Sequence, residues 1–111
     1  MWMQGYDIDA ALPFIVRAMR RAGIRGKDEE LAAFVQRAVQ ADMRYMSDTG
    51  VLDEQGLMGE GVYDDDDAFE ALLDVLAAGE TDEDQINRTA QMLDAYMQAQ
   101  QDFLDQSGLM E

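Results

Sequence analysis

The sequence contains no histidine and no cysteine, a single proline, and only 8 basic side chains among its 111 residues. Without histidine or cysteine the chain has no imidazole base, no thiol nucleophile, no zinc site of the usual nitrogen and sulfur type, and no disulfide framework. No nucleophile motif takes their place. We therefore expect a protein that is not an enzyme and that needs no cofactor.

Long hydrophobic runs are also missing, since no stretch of about 18 consecutive apolar residues occurs and no basic segment followed by an apolar run opens the sequence. These absences predict a cytoplasmic protein without a membrane segment. Apolar residues nevertheless make up 48% of the chain, against a net charge of −16. That apolar share offsets the entropy cost of ordering the chain, so we expect residues 1–111 to fold as a single acidic helical domain.

The spacing of the apolar residues predicts an all-α fold, a small bundle of four helices. The predicted helices are residues 10–22, 28–46, 66–78 and 82–106. Gly23 and Gly79 are expected to stop the first and third helices.

Three helix starts have recognisable capping residues. Asp28 is the expected N-cap of the second helix, and the run Asp64–Asp67 is expected to cap the third. Thr81 and Asp84 resemble a capping box for the fourth, with aspartate in place of glutamate.

The segment between the second and third helices, residues 47–63, contains four glycines. It is longer than the ~12–15 residues beyond which structureless loops become uncommon. Val51-Leu52 and Leu57-Met58 flank a turn sequence, Asp53–Gly56, so the pattern favours a short β-hairpin within an otherwise irregular insertion. Arms of two residues need packing against the helices to be stable.

Charge is divided unevenly along the chain. Residues 1–45 carry seven basic and six acidic side chains, whereas residues 46–111 carry one basic and eighteen acidic side chains. We call nine of these carboxylates the acidic rows, one at and along the third helix and one along the fourth: Asp64, Asp65, Asp66, Asp67, Glu70 and Asp74, and then Asp94, Asp102 and Asp105. Neighbours three or four apart on a helix lie ~5–6 Å from each other, so such a row can imitate a phosphate backbone.

Protein grooves that hold nucleic acid gather affinity from lysine and arginine contacts with phosphates. The leading hypothesis is therefore a non-catalytic module whose acidic rows bind a basic protein surface. In its sharpest form the module inhibits a nucleic-acid-binding protein as a phosphate mimic, in the manner of antirestriction or anti-CRISPR proteins. The competing interpretation is that the acidic surface only keeps the protein soluble.

The first helix and the turn after it carry a basic patch: Arg17, Arg20, Arg21, Arg25 and Lys27. Phe14 projects beside it, opposite the apolar face. One interpretation is a contact with DNA by a small regulator. The favoured one is pairing with the acidic half, within the molecule or across a dimer, because that half repels DNA and makes direct nucleic-acid binding unlikely.

Two further alternatives concern metal ions and self-association. The acidic residues do not follow the EF-hand spacing, and four adjacent aspartates converge poorly on one ion, so no metal site is expected. The apolar seam of the fourth helix, with Leu93 and Met97, could instead join two copies in a homodimer that serves as a structural or adaptor protein.

Asp42 is out of place, because it projects onto the apolar side of the second helix. A buried and unpaired carboxylate is costly. We therefore expect Asp42 to lie at the periphery, in contact with water or a partner. If it were buried, tyrosine, arginine or backbone donors would have to satisfy it, and its pKa would rise without them.

Overall fold

A computed structural model, which describes residues 3–108, confirms the all-α four-helix bundle. The helices are α1 (Ile8–Arg21), α2 (Asp28–Asp48), α3 (Asp65–Leu76) and α4 (Glu83–Ser107). Each begins and ends within two residues of its predicted bounds. Trp2 and the tail from Leu109 onward lie outside the described residues.

Two of the three predicted helix caps, those of α2 and α4, were wrong, whereas Asp64 caps α3 as predicted. Asp7 caps α1 by accepting hydrogen bonds from the backbone N–H groups of Asp9 and Ala10, so α1 begins at Ile8 rather than at the predicted residue 10. Lys27 precedes α2 without a side-chain cap, so the prediction of Asp28 as N-cap was wrong. Asp28 lies in the first turn, where its charge favours the helix dipole.

The N-cap of α4 also differs from the prediction. The carboxylate of Glu80 accepts hydrogen bonds from the backbone N–H groups of Thr81 and Asp82. Asp82, in extended backbone, is the N-cap and accepts from the N–H of Asp84. The predicted capping box on Thr81 was therefore wrong, because the N-cap lies one residue later. Gly23, with φ +93°, follows the end of α1 as predicted.

The core lies between all four helices. α1 and α3 occupy opposite corners of the bundle, and each packs against both α2 and α4. Fully buried core side chains include Ile15, Leu31, Leu72, Leu93 and Tyr96. Phe14 also faces inward, with its ring centroid 5.5 Å from that of Phe103, so its expected place beside the basic patch was wrong.

The insertion between α2 and α3 is closed by one antiparallel bridge, Leu52 to Met58, and no strand forms within residues 3–108. The carboxylate of Asp53 organises the turn by accepting hydrogen bonds from the backbone N–H groups of Gln55 and Leu57, at 2.8 and 3.0 Å. The chain then doubles back along itself so closely that a Cβ at residue 61 would lie 2.5 Å from the carbonyl oxygen of Thr49. This path brings Tyr63 against α2.

Within the described part of the chain, none of the four helices combines the length and the apolar content needed to cross a membrane.

Candidate functional site

Asp42 is the first unusual group of the site, because its carboxylate is buried, with 2% of the residue exposed. The hydroxyl of Tyr63 donates to Oδ1 at 2.8 Å, and the hydroxyl of Tyr96 donates to Oδ2 at 2.9 Å. The expected peripheral position was therefore wrong. Burial is tolerated because each carboxylate oxygen receives a hydrogen bond from a tyrosine.

Burial raises the pKa of Asp42 from 3.8 to about 6, against the opposing effect of the two tyrosine hydrogen bonds. The charge of Asp65 adds a smaller increase. Asp42 is therefore mostly ionised at neutral pH, although no basic side chain pairs with it in the described residues. Burial and the charge of Asp42 also raise the pKa values of Tyr63 and Tyr96, which keeps both hydroxyls protonated as donors.

A cavity of about 270 Å³, which we call the Asp42 pocket, opens beside this carboxylate. Residues of α2, of the insertion, of the start of α3 and of α4 line it: Asp42, Met46, Tyr63, Asp65, Met97, Gln100, Gln101, Leu104 and Asp105. The lining contains both polar and apolar side chains. The pocket can therefore hold a ligand that carries both an apolar stem and a polar head.

Gln100 is the second unusual group of the pocket, with 3% of the residue exposed. Its Oε1 accepts a hydrogen bond from the hydroxyl of Tyr6 at 2.8 Å. Its Nε2 has no hydrogen-bond partner in the described part of the chain. A buried donor without an acceptor costs free energy, so Gln100 departs from the usual pattern of satisfied interior groups.

A second cavity, of about 350 Å³, adjoins the first and lies between α3 and α4; we call it the acidic groove. Its lining residues are Asp65, Asp66 and Phe69 of α3 and Asp94, Met97, Gln98 and Gln101 of α4. Asp65, Met97 and Gln101 line both cavities. Carboxylates of both helices therefore border one groove that also has apolar lining, and none of the described residues that line either cavity is basic.

The structure separates the predicted acidic rows into groups. Asp65, Asp66 and Asp94 line the acidic groove, and Asp105 joins Asp65 at the Asp42 pocket. Asp64 is the N-cap of α3, and its carboxylate accepts hydrogen bonds from the backbone N–H groups of Asp66 and Asp67. The remaining predicted residues are exposed and line neither cavity: Asp67, Glu70, Asp74 and Asp102.

Asp67 is turned toward α2 rather than toward α4. It accepts a hydrogen bond from the hydroxyl of Tyr45 at 2.6 Å, and this bond raises the pKa of Tyr45 to about 12. The ring of Tyr45 packs edge-on against Tyr63, with their centroids 5.8 Å apart. These contacts fix the start of α3 against α2 and so position Asp65 and Asp66 at the groove.

None of the nine acidic residues belongs to an ion pair in residues 3–108. The ion pairs join Arg20 to Asp28, Arg44 to Asp48 and Arg88 to Glu30. The basic groups of the described residues therefore leave the acidic rows without ion-pair partners.

Among the described residues, Arg20 is the one member of the basic patch that forms an ion pair, and its partner Asp28 lies in the same half of the chain. Arg20 donates from Nε to Oδ1 of Asp28 at 2.9 Å and from Nη2 to the carbonyl of Gly26 at 2.8 Å. The expected intramolecular pairing of the patch with the acidic half is not found in the described residues. The other members are exposed and form no ion pair there: Arg17, Arg21, Arg25 and Lys27.

The predicted seam of α4 lies inside this chain's own core. Leu93 is fully buried, and Met97 is partly buried against the core. A dimer that used Leu93 would have to open the bundle. The geometry also holds no group of three or more acidic side chains, among the residues described, that could coordinate a metal ion.

Sequence reasoning singled out Asp42 but missed Tyr63 and Gln100. The signal for Gln100 was its spacing four residues after Tyr96, which places a glutamine on the apolar face of α4. Tyr63 gave no such signal, because it lies in an irregular segment whose path depends on contacts distant in sequence.

No protein-family model, curated protein or solved structure matches this chain.

Proposed function

We propose that the chain is a non-catalytic module that binds a basic segment of another protein in the acidic groove. The observation that supports this most directly is the placement of Asp65 and Asp66 on one side of a groove and Asp94 on the other, with no ion-pair partners in the described chain. Like charges brought together repel one another. A cationic partner would relieve that repulsion, and its approach would be fast and sensitive to salt.

The groove suits lysine and arginine side chains because it is not lined by carboxylates alone. Phe69 and Met97 contribute apolar surface between the acidic residues. Lysine and arginine bury their aliphatic stems on such surface while their charged ends reach carboxylates. A segment with several basic residues would therefore gain both apolar burial and charge pairing in this groove.

A nucleic-acid-binding protein is one class of partner with a surface of this kind, and inhibition would follow if the acidic residues occupied its nucleic-acid groove. The exposed carboxylates outside the cavities, Glu70 and Asp74, extend the anionic surface available to such a partner. Their presence favours a contact broader than a single peptide.

The test is capture of partners from cell extract at low and high salt, with proteins identified by mass spectrometry. The groove variant carries Asp65→Asn, Asp66→Asn and Asp94→Asn. The matched control removes the same charge from exposed residues that line neither cavity: Glu54→Gln, Glu60→Gln and Glu83→Gln. We expect a basic protein that the unmodified chain and the control retain at low salt and that the groove variant loses.

Equal capture by the groove variant and the control would contradict the proposal, because it would make the contact a general effect of net charge. Reversing Glu70 and Asp74 measures how far the contact extends beyond the groove. We expect weaker binding by that double variant with an unchanged fold.

A further inference from the structure

The Asp42 pocket is lined by acidic residues both in the interior of the bundle and at its surface. Asp42 is buried, whereas Asp65 and Asp105 line the same cavity and are exposed. Met46, Met97 and Leu104 supply apolar lining to this cavity. A cation with an apolar stem therefore matches the pocket in both charge and polarity.

Gln100 points independently to a ligand. The residue lines the pocket and is buried, with only 3% of it exposed. Its Nε2 lacks a hydrogen-bond partner in the described residues. An amide has a donor end and an acceptor end, and a tyrosine hydroxyl can donate or accept. Rotating the amide of Gln100 by half a turn would let Nε2 donate to the oxygen of Tyr6 and would leave Oε1 as an acceptor for a donor of the ligand.

We propose that the Asp42 pocket is an anchor site for one arginine side chain of the protein that binds the acidic groove. This inference rests on the function proposed above and adds the residue type that the partner must present. The aliphatic stem lies along Met97 and Leu104, and the guanidinium donates to Asp42, to the amide oxygen of Gln100 and to a carboxylate at the surface. The pocket adjoins the groove, so one basic segment reaches both.

The arrangement of acceptors favours arginine over other cations. Among residues 3–108, no three acidic side chains converge as the ligands of a metal ion would. A guanidinium is planar and has five N–H donors that can reach several separate acceptors, whereas an ammonium is a compact and strongly hydrated charge. Each oxygen of Asp42 accepts one tyrosine hydrogen bond and keeps capacity for a further donor.

The test is an NMR titration of the ¹⁵N-labelled chain with N-acetyl-arginine amide, followed at the side-chain amide of Gln100. N-acetyl-citrulline amide is the matched probe, because it has nearly the same shape without the charge, and N-acetyl-lysine amide tests the guanidinium. We expect saturable shifts with the arginine probe at Gln100 and around the pocket. The citrulline and lysine probes should bind about tenfold more weakly or not at all.

Two variants place the site at the pocket. Asp42→Asn should weaken arginine binding about tenfold, and Gln100→Met, which keeps a side chain of similar length, should weaken it about threefold. Glu83→Gln removes an exposed charge outside the pocket and should leave binding unchanged. The pKa of Asp42, followed by ¹³C NMR, should fall when arginine binds, because a nearby cation favours the ionised carboxylate.

Shifts that do not saturate, equal binding of citrulline, or arginine binding that neither pocket variant weakens would each overturn the anchor. Binding of a peptide of nine lysines shows whether only the arginine anchor is wrong or whether the proposed function of the acidic groove is wrong as well. If it binds the chain and loses affinity with the three groove substitutions but not with Gln100→Met, the groove function stands without an arginine anchor. If arginine binds the pocket but the three groove substitutions leave the affinity of that peptide unchanged, the pocket is a binding site and the proposed function of the groove is wrong.

Discussion

Asp42 shows how a single buried carboxylate couples stability to pH. Its pKa is raised from 3.8 to about 6, so the folded chain holds a proton more tightly than the unfolded chain does. The groups around it are the hydroxyls of Tyr63 and Tyr96 and the charge of Asp65. The proton on Asp42 therefore contributes to the free energy of unfolding. That contribution is fully present below about pH 4, and it is lost as the pH rises through about 6.

The first prediction isolates this group with Asp42→Asn, which keeps the shape and cannot ionise. The free energy of unfolding of the unmodified chain, relative to the variant, should fall between about pH 4 and about pH 8. The expected fall is about 3 kcal/mol, from roughly two pKa units at ~1.4 kcal/mol each. Urea unfolding at several pH values measures it. A difference between the two proteins that stays constant with pH would show that Asp42 does not titrate in this way.

The same residue marks a limit of sequence reasoning. The pattern of α2 placed Asp42 on an apolar face, and the cost of a buried charge then argued for a position at the periphery. What overturned that argument was a pair of tyrosine donors, Tyr63 and Tyr96, which are 21 and 54 residues away in sequence. Helical periodicity carries no information about such partners.

At the scale of elements, α3 begins in a run of four aspartates that have different roles. Asp64 accepts two backbone hydrogen bonds as the N-cap, whereas Asp66 faces the acidic groove. Both lie near the positive end of the helix dipole, so both gain from it. Only Asp64 satisfies backbone donors that α3 itself leaves unpaired.

The second prediction compares Asp64→Ala with Asp66→Ala, which removes the same charge from the same helix end. Loss of the cap should lower the free energy of unfolding by about 1 kcal/mol, and loss of Asp66 by less than about 0.5 kcal/mol. Urea unfolding at pH 7 measures both. Equal effects of the two substitutions would mean that the charge of the run, rather than the cap, stabilises α3.

Helices were the predictable elements, because apolar spacing and glycine stops are local signals. The insertion was less predictable. Its turn was anticipated from Asp53–Gly56, but the path that follows depends on Gly61 lying against the backbone near Thr49. That contact sets where Tyr63 lies, so the most informative residue of the site was the one that local patterns could not place.

At the scale of the whole molecule, the net charge of −16 is concentrated in residues 46–111. The ion pairs of the described residues leave the acidic rows unpaired. Mutual repulsion among these carboxylates destabilises the folded state, and dissolved salt screens it.

The third prediction follows from this screening. Raising sodium chloride from about 0.05 M to about 0.5 M should raise the melting temperature by about 5 °C, equivalent to about 1 kcal/mol. Potassium chloride should have the same effect, because screening does not depend on which cation is present. A melting temperature that is unchanged, or that falls, would show that repulsion does not limit the stability of this fold.

The uneven division of charge between the two halves of the chain was predictable from the sequence alone. The groove that acidic residues of α3 and α4 form together was not. Counting residues located the carboxylates on α3 and α4. Only the packing of these helices shows that Asp65 and Asp66 share a groove with Asp94 while Glu70, Asp74 and Asp102 line neither cavity. Composition and helix assignment thus predicted which helices carry the acidic residues of the candidate site. The shape of the site depends on tertiary contacts, which the sequence pattern does not show.

The most direct test of the account is the affinity of a synthetic peptide with alternating arginine and glycine, measured by calorimetry at low salt. The groove variant, with Asp65→Asn, Asp66→Asn and Asp94→Asn, is compared with the control, with Glu54→Gln, Glu60→Gln and Glu83→Gln. We expect the groove variant to bind about tenfold more weakly than the control, although both lose three charges. Equal affinities would contradict the account, because the groove would then have no special place on the acidic surface.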